Sequence, residues 1–417
     1  MINVKRLTNL HIDRTFWVLY LALVALAIIT LFSASSTLVY AKGSVLGPIG
    51  GQMLFIALGI AVAFGIQLLP TYVVRFGGYL LLGASILCLY SLLIPGNPLA
   101  FTANGATRWM RLGGITFQPS ELAKLGLIIV VSDLLSRAKT PETKRKYFWW
   151  TLGITGVTVL PILVHNLSTT ILICGIVFLM WVLANIPWKY TLSTVGIAVV
   201  VLVAGYTLVE FAYVRQDRAP KLFERSVTWV KRIDKKLFPD EADSKTSKYT
   251  VTDDNRQEVY ANVAIARGGA SPIGVLPGNS KERDYLPLAF MDYIFAIFVE
   301  EWGIVGAIGL IILYLWILFR ACYVSTRFGD TASMLMVMGL ALMITTQALM
   351  SMLVAVGIMP VTGQPLPMIS KGGTSVLITS IYFGIMMCVS REQSLLRERQ
   401  DSITRASAED VPEIQAT

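Results

Sequence analysis

The chain has 417 residues, of which 55% are hydrophobic and 15% are charged, and its formal net charge is +9 at pH 7. Apolar stretches of about 18 residues or more recur from end to end, which is typical of membrane-spanning helices and excludes a soluble enzyme. The excess of positive charge does not indicate nucleic-acid binding, because much of it lies in short loops that orient the spans. We therefore expect an all-α polytopic membrane protein with no nucleic-acid partner.

The apolar pattern predicts about ten spans of roughly 20 residues each. They cover residues 15–36, 50–69, 76–95, 119–137, 147–165, 167–185, 190–212, 289–319, 331–357 and 373–391. We expect a transmembrane domain over 1–392, with 213–288 as a large extracytoplasmic loop between the seventh and eighth spans. Residues 393–417 are charged and lack apolar periodicity, so they are expected to form a disordered cytoplasmic tail.

Lysine and arginine residues in the short loops set the orientation of the spans. With the amino terminus in the cytoplasm, sixteen of them lie inside, and only Lys42, Arg108, Arg111 and Lys371 lie outside. The positive-inside rule therefore predicts that both termini are cytoplasmic. In the large loop, the basic amphipathic stretch Lys221–Leu237 is expected to form a helix, either on the outer membrane surface or in solvent.

An acidic stretch opens the eighth span. Asp292 sits just inside the apolar run that begins at Phe290, and Glu300 and Glu301 follow about two turns later. A charge at the centre of a transmembrane helix costs roughly 2.5–3.5 kcal/mol on insertion scales, so a carboxylate kept there usually faces a protein-lined cavity. Two interpretations stay open, a functional carboxylate or a helix-end carboxylate that suits the macrodipole.

A second polar stretch leads into the fourth span. Gln118, Glu121 and Lys124 are spaced three residues apart and share one face of the predicted helix. Pro119 suits its first turn. Because an unpaired ammonium inside the membrane is unfavourable, Glu121 is the predicted partner of Lys124, in an ion pair that is either functional or purely structural.

Arg108, Arg111 and Lys371 are cations on the side that the positive-inside rule disfavours. They suggest a bound anion, since the planar arginine fork suits phosphate, and lipid headgroups are the alternative. Trp109 is placed either to stack on a ring or to lie at the membrane interface.

Prolines and glycines over Pro360–Ser375 predict an ordered loop at the outer end of the ninth span. The sequence Lys371-Gly372-Gly373 then opens the last span. It is either an anion-binding helix start or a plain turn. His11 and His165 are the only histidines, which argues against a histidine-based metal site.

Together these stretches resemble the SEDS family (shape, elongation, division and sporulation), over almost the whole chain. The residues that carry the resemblance are Asn104-Gly105-Ala106, Arg108-Trp109, Gln118-Pro119-Ser120-Glu121-Leu122-Ala123-Lys124, Gly278-Asn279-Ser280, Leu286-Pro287, Asp292-Tyr293-Ile294-Phe295, Glu300-Glu301, Leu366-Pro367, Ser370 and Gly372-Gly373. The chain departs from the family pattern at Leu288, Phe290, Met291, Ser351 and Lys371, which concern the acceptor pocket.

The resemblance implies a glycosyltransferase of the bacterial cytoplasmic (inner) membrane that polymerises lipid II, with Asp292 as the general base. The implied substrate-binding residues are Arg108, Trp109, Gln118, Ser120, Glu121, Lys124, Ser370 and Lys371. Cations among them would balance the charge of the leaving undecaprenyl pyrophosphate, with or without a divalent cation, Mg²⁺ or Mn²⁺, as cofactor. The sequence indicates no ligands for such a metal.

The implied partners are lipid II, a class B penicillin-binding protein, divisome proteins and membrane lipids. The long loop and the charged tail favour a division-type member at the septum over an elongation-type polymerase. Two alternatives lie outside glycosyl transfer. A lipid II flippase would need alternating access and repeated or broken helices, and the sequence has no internal repeat. A non-catalytic scaffold would not need Asp292 and Lys124 inside the membrane.

Overall fold

The structure is a computed structural model that describes residues 13–34, 46–94, 96–103, 106–210, 227, 230, 251, 255–286 and 292–409. Eleven α-helices and three β-strands lie in these ranges. In chain order they are α1 (Arg14–Ala34), α2 (Leu46–Gln67), α3 (Thr71–Ser91), β1 (Ala100–Ala103), β2 (Ala106–Leu112), β3 (Ile115–Phe117), α4 (Pro119–Ser136), α5 (Pro141–His165), α6 (Leu167–Leu183), α7 (Trp188–Val209), α8 (Arg256–Gly269), α9 (Ile294–Ser325), α10 (Thr331–Ala355) and α11 (Gly373–Glu409).

Ten of these helices occupy the positions predicted for spans, and α8 lies in the large loop. Eight of the ten are long and apolar enough to cross a membrane among the described residues. The other two are α4, which carries Glu121, Lys124 and Asp133, and α6, which has 17 residues. The polytopic helical fold is therefore confirmed, and its two less typical helices both lie near the site described below.

Successive spans alternate in direction, so that the start of α1 meets the end of α9. The carboxylate of Asp13 accepts hydrogen bonds from Arg320 Nη2 at 2.9 Å and from Ser390 Oγ at 2.8 Å. These contacts lie at the inner end of the bundle as the charge count predicts it. The opposite end, where α4 and α9 begin, is called the outer end below.

Helix α4 runs through the centre of the bundle. Nearly all of its side chains are buried, including Leu125, Ile128 and Val131. Helices α3, α10 and α11 pack around it, and the Lys124 side chain is 0% exposed. Lys124 is consequently held inside protein and not against lipid.

A small antiparallel sheet, β1-β2-β3, precedes α4 and was not predicted from the sequence. Phe101 pairs with Trp109, and Met110 pairs with Phe117. Gly113 and Gly114 connect β2 to β3 with φ angles of +56° and +85°, as a two-residue hairpin turn requires. Arg108 therefore lies on a strand that is fixed in register immediately before the central helix.

Two predicted boundaries were wrong. The eighth span was predicted to begin at 289, but α9 begins at Ile294, so Asp292 precedes the helix and is not inside it. The last helix was predicted to end at 391 before a disordered tail, but α11 continues to Glu409. Its extension is held against neighbouring segments, since Glu392 accepts from the amide of Thr71 at 2.6 Å and Arg397 donates to the carbonyl of Arg327.

Some predictions fall outside the described residues. These are the amphipathic stretch Lys221–Leu237 apart from residues 227 and 230, the Asn104-Gly105 pair, the departures at Leu288, Phe290 and Met291, and the tail after residue 409.

Candidate active site at the outer end of the bundle

Lys124 is fully buried, and two side-chain oxygens surround its ammonium. Nζ lies 2.7 Å from Glu121 Oε1, three residues earlier on α4. It also donates to Gln347 Oε1 on α10 at 2.8 Å. Moving a charge out of water costs free energy unless well-placed partners offset that cost. The predicted Glu121–Lys124 pair is thus confirmed, and Gln347 is a further partner that was not predicted from the sequence.

Gln347 connects this pair to the loop between α10 and α11. Its Nε2 donates to the carbonyl of Pro365 at 3.1 Å. The loop is ordered as predicted, because Tyr314 Oη donates to the carbonyl of Pro367 at 2.5 Å. The amide of Leu366 also donates to Ser370 Oγ at 2.8 Å. Ser370, which was predicted to bind substrate, is only 2% exposed and helps to shape this loop.

Arg108 faces the same loop from β2. Strand residues two apart share a face, and Met110 is buried, so the face that carries Arg108 is the one packed on the protein. A Cβ atom built on Gly363 would lie 3.4 Å from Arg108 Nη1. The guanidinium therefore lies against the loop at Gly363.

Trp109 and Arg111 lie on the opposite face of β2 from Arg108. The guanidinium of Arg111 stacks over the Phe101 ring, 5.0 Å from its centroid. The structure thus separates Arg108 from the other two residues of this strand that were predicted to bind an anion or a ring. Lys371 is partly buried at the end of the loop, two residues before α11 begins.

Asp292 lies at the outer end, two residues before α9, and is partly buried. Burial raises the pKa of the Asp292 carboxyl above its ordinary value, and the nearby positive charge of Arg108 acts in the opposite direction. The structure therefore brings the charge of Arg108 within electrostatic range of Asp292. A carboxylate beside a cation in a sheltered site is well suited to accept a proton from a bound hydroxyl.

A kink at Gly303 holds the chain segment before Asp292 against α9. Gly303 has φ 64° and ψ −165°, a conformation that is essentially restricted to glycine. The kink frees the carbonyls of Glu300 and Glu301 from the helix ladder, and these accept from the amides of Val275 and Leu276, each at 2.9 Å. The loop after α8 is thereby bonded to the span that follows Asp292.

The side chains of Glu300 and Glu301 are fully buried in this same junction. Glu300 accepts from Ser280 Oγ, and from the amide of Lys281 at 3.1 Å. Glu301 accepts from Ser33 Oγ, and from the amide of Gly278 at 3.0 Å. These hydrogen bonds hold Glu300 and Glu301 against the loop, and we take Asp292 as the candidate base of the acidic stretch.

A small cavity lies beside Arg108 at the outer end of α4 and α5. Its polar lining consists of Arg108, Gln118, Ser120, His165 and Asn166. Gln118 and Ser120 are predicted site residues, whereas Asn166 was not assigned a role. The predicted break between the fifth and sixth spans at His165–Asn166 is confirmed, since α5 ends at His165 and α6 begins at Leu167.

No group of three or more His, Cys, Asp or Glu side chains with metal-binding geometry occurs among the described residues. Mg²⁺ is often held by one or two carboxylates together with substrate phosphates. Glu121 is engaged with Lys124, and the charge of Arg108 acts on Asp292. In the part of the chain that the structure describes, the side chains therefore form no protein-only site for the expected divalent cation.

Comparison with known proteins identifies relatives that extend over most of the chain. The "Peptidoglycan glycosyltransferase MrdB" of Escherichia coli (strain K12) is 27% identical and covers 93% of this chain and 96% of its own length. The "Probable peptidoglycan glycosyltransferase FtsW" of Nitrosomonas europaea is 31% identical and covers 90% of this chain and 92% of its own. The "Probable peptidoglycan glycosyltransferase FtsW" of Saccharophagus degradans is 32% identical and covers 84% of this chain and 84% of its own length.

Solved structures share the fold. A chain from "Structural coordination of polymerization and crosslinking by a peptidoglycan synthase complex" matches with a TM-score of 0.67 and 28% identity, covering 92% of this chain and 99% of its own. The rod shape determining protein RodA of Thermus thermophilus matches with a TM-score of 0.63 and 23% identity, covering 93% and 99%. Residues 13–395 match the family model of FtsW, RodA and SpoVE proteins, described as "Cell cycle protein". The chain therefore belongs to the FtsW/RodA/SpoVE family, also known as SEDS proteins.

Proposed function

We propose that this chain is a peptidoglycan glycosyltransferase that polymerises lipid II into glycan strands at the outer face of the cytoplasmic membrane. Relatives with that named activity match it over nearly their full length. The observation that carries the proposal is the position of Asp292, a partly buried carboxylate at the outer end of the bundle and within the electrostatic reach of Arg108.

In the proposed reaction Asp292 acts as general base. Its carboxylate takes the proton from a sugar hydroxyl of the acceptor as that oxygen attacks the anomeric carbon of the donor. The bond between the anomeric carbon and the pyrophosphate oxygen breaks, undecaprenyl pyrophosphate leaves, and Asp292 later returns the proton to water. A positioned base of this kind contributes about 10²–10⁴-fold to the rate.

The leaving pyrophosphate gains negative charge, which the two cations of the site are placed to stabilise. Arg108 offers the planar fork that matches phosphate oxygens. Lys124 has three N–H donors, of which two are used by Glu121 and Gln347. We assign Lys124 the roles of supplying positive potential and, through Gln347, fixing the loop that borders Arg108.

The mechanism proposed here uses only side chains of the chain. A divalent cation would supply further stabilisation of the pyrophosphate charge, and its ligands would have to include the substrate. That the enzyme requires such a cation is a separate proposal. It is tested by removing divalent ions with EDTA and then titrating Mg²⁺ or Mn²⁺ back into the assay.

We further propose that the chain works with a class B penicillin-binding protein, as the peptidoglycan synthase complex among its structural neighbours suggests. The long loop and charged tail favour a division-type role at the septum with divisome proteins. Relatives named MrdB and relatives named FtsW both match the chain, so this choice rests on the loop and tail alone.

The test is glycan-strand formation from lipid II in detergent, with the purified chain alone and with a class B penicillin-binding protein. We expect polymer from the complex and less from the chain alone. A flippase has nothing to transport in detergent, and a scaffold makes no polymer. Absence of glycan strands from a folded, partner-bound sample would therefore contradict the proposed activity.

A further inference from the structure

Asn166 stands at the junction of α5 and α6 in a conformation that belongs to neither helix. Its backbone angles are φ −154° and ψ 87°. Its side-chain oxygen Oδ1 accepts from the amide of Thr169 at 3.1 Å, which is the N-cap bond of α6. The side chain is thus held in one orientation by a contact that uses only its oxygen.

The other end of the Asn166 amide is a buried donor. The residue is 4% exposed, and across the described ranges no side chain or backbone oxygen accepts a hydrogen bond from Nδ2. Buried polar groups are almost always hydrogen-bonded, so an unpartnered one calls for an explanation such as a ligand or a water.

Asn166 belongs to the lining of the cavity that also contains Arg108, Gln118, Ser120 and His165. These residues come from β2, from the start of α4 and from the end of α5. Irregular backbone at membrane depth is tolerated where it lines a cavity, which accounts for the break at Asn166. A residue with an unpartnered donor group therefore shares the lining of this cavity with Arg108.

The chemistry of the lining indicates an anionic oxygen as the ligand. Arginine has donors and no acceptor, the free amide end of Asn166 is a donor, and the first turn of α4 carries the positive end of a helix dipole. The cavity has room for about one water-sized atom, so it can take a single phosphate oxygen.

We propose that Asn166 Nδ2 binds one phosphate oxygen of the lipid-linked pyrophosphate, next to Arg108. This inference rests on the proposed function and adds a substrate-binding residue to it. Asn166 acts in recognition of the pyrophosphate and takes no part in proton transfer.

The test compares binding of undecaprenyl pyrophosphate and of the uncharged undecaprenol by the purified protein with its partner. Asn166→Ser and Asn166→Asp both keep an N-cap oxygen, so α6 should still form. Asn166→Ser should weaken undecaprenyl pyrophosphate binding about tenfold or more, as expected for losing a hydrogen bond to a charged group. Asn166→Asp should weaken it further through repulsion between charges, and undecaprenol binding should be unchanged in both.

Asn97→Ser is the matched control. Asn97 also caps a backbone amide, that of Leu99 at 2.9 Å, but its Nδ2 already donates to the carbonyl of Ser91 at 2.9 Å. This variant should bind undecaprenyl pyrophosphate as the wild type does.

Unchanged pyrophosphate affinity in both Asn166 variants would overturn the inference and would mean that the cavity holds a buried water only. Equal losses for undecaprenyl pyrophosphate and undecaprenol would also overturn it, because the effect would then be structural. Polymerisation of lipid II by the wild-type sample is measured alongside. If the wild type makes glycan while the variants bind normally, the inference fails and the proposed function stands. If the wild type makes none, the proposed function itself fails.

Discussion

The ammonium of Lys124 and the side-chain oxygen of Gln347 lie 2.8 Å apart, and they join the central helix α4 to α10. The amide of Gln347 continues the connection to the carbonyl of Pro365. The position of the buried cation is therefore linked to the loop against which Arg108 lies. This connection makes Gln347 a positioning residue for the proposed site.

Gln347→Leu removes both hydrogen bonds and puts an apolar side chain of similar size in place of the amide. We expect about a tenfold or larger fall in polymerisation per folded molecule, since a hydrogen bond to a charged group is lost. Gln67→Leu is the control, because Gln67 is also buried but accepts from Trp17 Nε1 at the other end of the bundle. Equal activity losses in the two variants would mean that Gln347 matters for stability alone.

Lys124→Met leaves the buried Glu121 carboxylate without its ion-pair partner. Breaking a buried pair from one side costs about 3–5 kcal/mol, so membrane accumulation and activity should both fall. Lys124→Met combined with Glu121→Gln should restore accumulation, because no charge is left uncompensated, but should not restore polymerisation. A double variant that polymerises normally would show that the pair is structural and that Lys124 has no role toward pyrophosphate.

Gly303→Ala tests the junction between α9 and the large loop. Its φ of 64° disfavours any side chain, and the added Cβ would lie 2.4 Å from the carbonyl oxygen of Pro272. The strained conformation alone costs about 1–3 kcal/mol, so the thermal midpoint and the activity should both drop. Gly309→Ala, on the same helix with open space around its Cβ position, should leave both nearly unchanged. A normal thermal midpoint for Gly303→Ala would show that the kink at Gly303 does not stabilise this junction.

The sequence predicted the helices well because long apolar runs are a local signal. The Glu121–Lys124 pair could also be predicted, because its two residues are three positions apart on one helix. The partner Gln347 is 223 residues away from Lys124, and a contact at that separation has no signature in a single sequence. A buried glutamine in an apolar run was the available hint.

The small sheet and the length of α11 were missed for local reasons. Gly113-Gly114 is a recognisable hairpin turn, but β1 and β3 have only four and three residues, and β2 carries two arginines. The end of α11 lacks apolar periodicity, yet its glutamates, glutamines and arginines are good helix formers. Asp292 was expected inside a helix because the apolar run begins before α9 does.

The pH dependence of the reaction should depend on Arg108. A general base works in its ionised form, so the rate falls as the pH drops through the pKa of Asp292. Because the charge of Arg108 lowers that pKa against the effect of burial, Arg108→Gln should move the acid limb of the pH–rate profile to higher pH. Arg111→Gln, on the opposite face of β2, should not move it. An acid limb that stays in place in Arg108→Gln would mean that Asp292 is not the titrating base.

The role of Asp292 is tested most directly by Asp292→Asn, purified with its class B partner and assayed on one sample for polymerisation of lipid II and for binding of undecaprenyl pyrophosphate. The substitution keeps the shape of the side chain and removes the base, so polymerisation should fall about 10²–10⁴-fold. Binding should persist, because the pyrophosphate is held by Arg108 and its neighbours. Glycan strands formed at near the wild-type rate would contradict the central claim, and loss of binding together with a lowered thermal midpoint would make Asp292 a structural carboxylate.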